Sequence, residues 1–170
     1  MNWLDNLAEN EVLRYKGIIR DFKTVDVRDR SFNKRCNGYF HNRGKNLPLN
    51  KLQKYYELLE NYKKSSTAPS YKTILKDIND QVGVFSPVLA SQASHLFDNN
   101  LPVLSAPALR NSKVKKRYSN NLSINEGIEK ACETYAELQT QVYKFRDSEL
   151  GKKIIGDFIE YFGKDMAKDI

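Results

Sequence analysis

The sequence predicts an all-α protein that folds as a single compact helical domain over residues 1–170. Apolar residues recur every three or four positions along most of the chain, which is the spacing of one face of a helix. No strand-rich block, internal repeat or low-complexity tract interrupts this pattern. Hydrophobic residues make up 40% of the 170 positions, which suffices for one packed core.

The helices are expected where this periodicity coincides with capping residues. Ser70 is predicted to cap the fourth helix, and Ser123 with Glu126 forms a capping box, in which each side chain bonds the other residue's backbone N–H. The last helix is expected to begin at Asp147 or Ser148 and to end at Gly163. The earlier helices are expected at residues 2–22, 30–44 with Gly44 as C-cap, 49–64, 71–82, 87–97 and 106–111, followed by a long helix from 124 through 145.

The stretch Gly83–Asn111 is expected to be the centre on which the other helices pack. It is the least charged part of the chain and contains three of the five prolines. Ser86 followed by Pro87 is typical of an N-cap and a first helical position, where the missing N–H has no intrahelical partner to lose. Asp98–Asn100 should end that helix, and an extended Leu101–Val103 should lead into a short second helix.

The composition restricts the range of partners. Lys and Arg number 28 against 21 Asp and Glu, a net charge of +7, which favours an acidic partner such as DNA. No apolar run is long enough for a membrane span, and the N-terminus does not resemble a secretory signal, so we expect a cytoplasmic protein without a membrane partner. Trp3 is expected to anchor the first helix. Cys36 and Cys132 are expected to be reduced, buried thiols, and no metal or cofactor is expected.

Two basic segments are candidates for contacts with nucleic acid. Lys113, Lys115, Lys116 and Arg117 form the most basic stretch, which is either a solvated loop or a set of phosphate contacts. The adjacent Tyr118 could stack on a base or fill the core. The second set could extend this surface if the fold brings the two together; it comprises Lys34, Arg35, Arg43 and Lys45.

Residue patterns of known catalytic sites are missing. The only histidines are His41 and His95, and neither belongs to a metal-binding motif; His95 is expected to be half-buried with a satisfied ring. The chain contains no P-loop, GxSxG or GxGxxG motif. The acidic pairs Asp77 with Asp80 and Glu57 with Glu60 are expected to be solvated surface charges.

The run from Ala90 to Asn111 resembles a group of small bacterial and phage proteins that are similar to the helix-hairpin-helix DNA glycosylase superfamily. Its matching features are an Ala-Ser helix, a histidine, an Asp/Asn-rich turn, Leu-Pro and a short helix. The C-terminal run from Ser148 to Lys152, with Phe158, Tyr161 and Phe162, also resembles that group. The matching central residues are Ala90, Ser91, His95, Asp98, Asn100, Leu101, Pro102, Val103, Leu109, Arg110 and Asn111.

The chain departs from this resemblance at the positions that carry the chemistry. The hairpin would be Gly83–Ser86, with one glycine where the superfamily prefers two. Val88 stands at the position of the catalytic lysine, Ser105 at that of the aspartate, and Gln92 where the smaller group has a lysine. Cleavage of a glycosidic bond needs a carboxylate, and a serine hydroxyl is a poor substitute. Ser105 is instead expected to cap the helix 106–111.

Three functions are therefore considered. The first is a non-catalytic or catalytically degenerate DNA-associated protein with a glycosylase-like helical fold. The second is a protein-interaction factor, for example a phage product that binds a host protein, motivated by the missing catalytic pair and by tyrosines expected on the surface. The third is an active base-excision enzyme with an atypical site near His95, Asp98 and Ser105.

Overall fold

The computed structural model describes residues 9–40, 47–65 and 68–163. These residues contain eight α-helices and one π-helical turn and no strand, so the all-α prediction is confirmed for this part of the chain. The elements are α1 (Glu9–Thr24), α2 (Arg30–Tyr39), α3 (Leu49–Lys64), α4 (Tyr71–Asp77), the π-helical turn (Ile78–Val82), α5 (Pro87–Phe97), α6 (Ala106–Asn111), α7 (Ile124–Asp147) and α8 (Glu149–Phe162).

The predicted N-caps are confirmed. The hydroxyl groups of Ser70, Ser86 and Ser105 each accept a hydrogen bond from a backbone N–H three residues further along. Ser123 and Glu126 form the expected capping box at the start of α7. These signals involve only neighbouring residues, so they act wherever the rest of the chain lies.

The second and fourth helices differ from the prediction, apart from shifts of two residues at the ends of α1 and α7. Helix α2 ends at Tyr39, with Phe40 as its C-cap, five residues before Gly44. Asn37 and Gly38 in its last turn have low helix propensity, which favours the earlier end. The fourth helix changes after Asp77 into a π-helical turn that ends at Gly83. Gly44 itself and Trp3 lie outside the described residues.

Helix α5 lies at the centre of the core. Leu89, Ala90, Ala93 and Leu96 are buried, and Ser91, Gln92 and Ser94, on its remaining faces, are buried as well. A helix that is buried on all sides must be surrounded by other elements. Helix α4 packs against α5 and also against α7. The small side chains of α5 allow this close approach.

Helix α8 is largely exposed. Only Gly151 is buried, whereas the apolar side chains of Leu150 and Ile155 are exposed. Gly151 is required at the corner between α7 and α8, because a Cβ there would lie 2.1 Å from the carbonyl oxygen of Phe145. Among the described residues, no helix combines the length and apolar character needed to cross a bilayer.

Two expectations about single side chains are wrong. Glu60 is buried, not solvated: its carboxylate accepts the N–H of Val27 at 3.0 Å and lies 3.5 Å from the ammonium group of Lys63. It faces the connection between α1 and α2, and helical spacing alone does not reveal that neighbour. Cys132 is half-buried, while Cys36 is buried as expected, and burial raises the pKa of the Cys36 thiol to about 11.

Candidate nucleic-acid interface

Helix α5 is preceded by a four-residue turn, Gly83–Ser86, that we call the hairpin. Gly83 has φ 74°, in the left-handed region, and it ends the π-helical turn. A Cβ at Gly83 would lie 3.9 Å from the ammonium nitrogen of Lys51, an ordinary contact, so it is the backbone conformation that favours glycine here. Ser86 then caps α5 and Pro87 occupies its first turn. The chain thus passes from one helix to the next through a short turn at the surface.

The backbone of the hairpin has free donors. The N–H groups of Val84, Phe85 and Ser86 donate to no acceptor within the described residues. Val88 follows in the first turn of α5, and its side chain is 37% exposed. Unpaired N–H groups that lead into the first turn of a helix favour an anion, because the helix dipole is positive at that end.

Lys51 from α3 reaches the hairpin. Its ammonium group donates a hydrogen bond of 2.7 Å to the carbonyl oxygen of Gly83. Helix α3 packs against the π-helical turn, which brings this lysine to the hairpin although 32 positions separate the two residues. Sequence analysis missed Lys51, since nothing in the local pattern distinguishes it from the other lysines of α3.

The basic segment, residues 113–117, also reaches the hairpin. Phe85 and Tyr118 meet edge to face with ring centroids 6.3 Å apart, and Phe85 also lies against Gly127 of α7. Of the two roles considered for Tyr118, the structure shows the core position: the side chain is buried, and burial raises the pKa of its hydroxyl. Lys116 places its ammonium group 4.7 Å from the centre of the Tyr118 ring.

The remaining side chains of the basic segment differ in how well their charges are compensated. The backbone N–H of Arg117 donates to Thr134 of α7, and its guanidinium group pairs with Glu137 at 2.5 Å and lies 3.9 Å from Glu133. Lys113 and Lys115 are exposed, and no carboxylate among the described residues lies within ion-pair distance of either. Arg117 is therefore the least available of the four for a phosphate.

The second basic set lies on α2. Lys34 is exposed, and Arg35 pairs with Asp21 of α1 at 2.6 Å. Within the described ranges, no hydrogen bond, ion pair or ring contact joins α2 to residues 113–118. Arg43, Lys45 and His41 lie outside those ranges.

The connection after α5, residues 98–105, is held by hydrogen bonds from the protein. The Nδ1 atom of His95 donates to the carbonyl oxygen of Leu101 at 2.6 Å, since a carbonyl can only accept. Its Nε2 atom accepts from the hydroxyl of Tyr15 at 2.8 Å. Burial lowers the pKa of His95, so the neutral ring is favoured. The expectation of a half-buried, satisfied histidine is confirmed.

The remaining candidates for a vestigial catalytic site are Ser105, Asp98 and Gln92. Ser105 uses its hydroxyl to accept the N–H of Ala108 at 3.2 Å. Asp98 is exposed and accepts the backbone N–H of Asn100 at 3.0 Å, while Gln92 is buried inside α5. His95 lines an aromatic cavity of about 470 Å³, and none of the other three lines it. These residues are therefore not gathered around one cleft.

No group of three His, Cys, Asp or Glu side chains suited to a metal ion occurs among the described residues. Comparisons with protein-family models, with curated proteins and with solved structures found no match to this chain.

Proposed function

We propose that the chain is a catalytically degenerate, DNA-associated protein with a fold similar to the helix-hairpin-helix DNA glycosylases, and that it binds the nucleic-acid backbone at the hairpin. The contact between Phe85 and Tyr118 is the main support, because it brings the most basic stretch of the chain to the turn where this resemblance expects phosphate contacts. The ammonium group of Lys116 lies 4.7 Å from the centre of the Tyr118 ring, and that of Lys51 bonds the carbonyl oxygen of Gly83 in the hairpin.

A phosphate at the hairpin would meet both partial and full positive charge. The free N–H groups of Val84 and Phe85 can donate to its oxygens, and the lysines can replace condensed counterions. Such contacts carry no base specificity. We therefore expect binding that depends strongly on salt and little on sequence.

The side chains at the catalytic positions favour binding without cleavage. Ser105 supplies a hydroxyl that already caps α6, and Val88 supplies an aliphatic group. Neither can stabilise the positive charge that develops on the sugar when a glycosidic bond breaks. Asp98, the acidic residue nearest to Ser105 in the sequence, is exposed and accepts a hydrogen bond from the backbone N–H of Asn100 in its own turn.

The binding proposal is tested by fluorescence anisotropy with labelled blunt duplex DNA over a range of salt concentrations. The wild type should bind with a Kd of about 1–100 μM at physiological salt and more tightly at low salt. The double variant Lys51→Gln/Lys116→Gln should lose about two units from the slope of log K against log salt, since each lysine displaces one counterion.

A matched control removes the same charge elsewhere. Lys152 and Lys153 are exposed on α8, and Lys152→Gln/Lys153→Gln should leave the slope within about half a unit of wild type. If the salt slope falls equally in the two double variants, the effect is one of net charge and not of contacts at the hairpin. The absence of any binding at low salt would remove the proposal.

A second assay addresses cleavage. Duplexes that contain uracil, an alkylated base or an oxidised base are incubated with the protein, and abasic sites are scored. We expect no product above the level of the protein-free control. Product formation by the wild type would instead support an active base-excision enzyme.

The alternative of a protein-interaction factor is favoured by one observation, the exposed apolar side chains at the end of α7 and along α8. These are Phe145, Leu150, Ile155 and Tyr161. The expectation of many surface tyrosines is wrong, because Tyr161 is the only one of the ten tyrosines that is exposed, and four are buried. A stoichiometric protein partner that is retained from a bacterial lysate after nuclease treatment would favour this alternative.

A further inference from the structure

The C-terminal end of α6 places a lysine where glycine is usual. The N–H of Val114 donates to the carbonyl of Leu109, and the N–H of Lys113 donates to that of Arg110, the hydrogen-bond pattern of a Schellman motif. Lys113 has φ 58° and is the only described non-glycine residue with positive φ. Glycine adopts this conformation without the steric penalty of a Cβ. Local folding therefore gives no reason for lysine at this position.

Lys113 lines a groove of about 660 Å³ between the end of α6 and the last turns of α7, which we call the corner groove. Lys144 lies on its other side, and Phe145, 50% exposed, forms part of the wall with Val142. Asn111 adds an amide group.

The charge of the corner groove is not compensated. Among the described residues, no carboxylate lies within ion-pair distance of Lys113 or Lys144. Asp147, close to Lys144 in sequence, is paired with Arg146. The ring of Phe145 also has no aromatic partner in the described part of the chain. The corner groove thus combines the exposed ring of Phe145 with the unpaired ammonium groups of Lys113 and Lys144.

We propose that the corner groove binds single-stranded nucleic acid, with a base stacked on Phe145 and the flanking phosphates on Lys113 and Lys144. Stacking on an aromatic ring combined with nearby cations is the usual way in which proteins hold single strands without sequence preference. An apolar protein segment fits less well, because it would bury two unpaired ammonium groups. This inference rests on the proposed function, since it extends nucleic-acid binding to a second site.

The position of the corner groove suits a strand that leaves a duplex bound at the hairpin. Phe85 of the hairpin contacts Gly127 near the start of α7, and Phe145 lies about five helical turns further on, roughly 27 Å away. That distance corresponds to about eight base pairs of duplex. The basic segment lies against the middle of α7, where the backbone N–H of Arg117 donates to Thr134.

The test compares three labelled DNAs by fluorescence anisotropy: a blunt duplex, the same duplex with a single-stranded overhang, and the overhang sequence alone. The wild type should bind the overhang duplex more tightly than the blunt one. Phe145→Leu should weaken binding of the single strand about 5- to 100-fold, which corresponds to the stacking of one base. The same variant should bind the blunt duplex as tightly as the wild type does.

Lys113→Gly supplies a variant that removes the charge without harming the fold. Because glycine suits the left-handed position, its Tm should equal or exceed that of the wild type. Its salt slope for the single strand should fall by about one unit. Lys153→Gln, which removes one charge from α8, serves as the control and should leave that slope unchanged.

The outcomes separate the two sites. If the protein binds blunt and overhang duplexes with equal affinity and Phe145→Leu changes neither, the single-strand site in the corner groove is overturned. Duplex binding at the hairpin would still stand. Single-strand binding that depends on Phe145, without any binding of the blunt duplex, would support the groove and remove the hairpin. Capture of a protein through Phe145, with no single-strand binding, would overturn this inference.

Discussion

The two connections on either side of α5 differ in what their polar groups do. The hairpin before α5 is exposed at Gly83 and half-buried at its other three residues, and it has free backbone N–H groups and a lysine bonded to its first carbonyl. In the connection after α5, the Leu104 N–H donates to Ser91 and the Pro102 carbonyl accepts from Tyr135, while His95 holds Leu101. A polar group already bonded within the protein contributes to stability, and a free one remains available to a ligand.

This difference changes the interpretation of the residues that resemble a catalytic centre. Asp98 and Ser105 belong to the connection whose groups are satisfied internally, and His95 of α5 bonds that connection at Leu101. Lys51 and Lys116 contact the hairpin or its neighbouring ring and keep their charges at the surface. We therefore expect substitutions after α5 to change stability and substitutions around the hairpin to change binding.

The largest effect is expected for His95→Ala. The variant loses two hydrogen bonds and leaves the Leu101 carbonyl and the Tyr15 hydroxyl without their partners. We expect the free energy of unfolding to fall by about 2–4 kcal/mol, measured by urea denaturation. DNA binding by the folded variant, measured well below its Tm, should match the wild type.

Lys51→Gln is the counterpart on the other side of α5. Its hydrogen bond to Gly83 is exposed, so the free energy of unfolding should change by less than about 0.5 kcal/mol. If His95→Ala were stable but no longer bound DNA, the connection after α5 would take part in binding, which contradicts the difference drawn between the two connections.

A smaller effect is expected from pH. Burial lowers the pKa of His95 in the folded protein below the ordinary value of 6.5, so the unfolded chain holds more protons in the interval between the two pKa values. The stability contributed by the neutral ring is complete above pH 6.5. It is lost as the pH falls from there through the lower pKa of the folded state.

His95→Gln should abolish this part of the pH dependence, as measured by urea denaturation at a series of pH values. Any contribution from His41 is common to both proteins and cancels in the difference. An unchanged pH dependence in the variant would show that His95 does not titrate differently in the two states.

The effects expected at Ser105 come from helix capping. Ser105→Ala removes the cap of α6 and should cost about 1 kcal/mol, whereas Ser105→Asp retains a capping oxygen and should stay within about 0.5 kcal/mol of wild type, both measured by urea denaturation. If both variants lose the same stability, capping does not explain the role of this side chain. A stable aspartate variant would show that the fold accepts a carboxylate at this position.

Much of the fold was predictable from the sequence because its signals are local. Helix α3 runs from Leu49 to Lys64, as predicted, and the serine caps lie where the sequence placed them. A capping serine bonds a backbone group three residues away, and an apolar stripe follows from helical geometry alone. The same reasoning correctly placed His95 as a half-buried residue of α5.

The candidate site was less predictable because its residues come from separate parts of the chain. The sequence identified the basic segment and Gly83–Ser86 as candidates. It could not show that the two lie close together through Phe85 and Tyr118, and nothing in it pointed to Lys51. It also could not show that Arg117 pairs with Glu137, or that Glu60 meets the backbone of Val27.

The sequence by itself thus determined the helices, their caps and the positive charge of this protein. Only the tertiary structure decided which of those charges are compensated and which lie beside the hairpin. Local rules act over three or four residues, whereas an ion pair or a ring contact depends on how whole helices pack, and that packing is decided by the core as a whole.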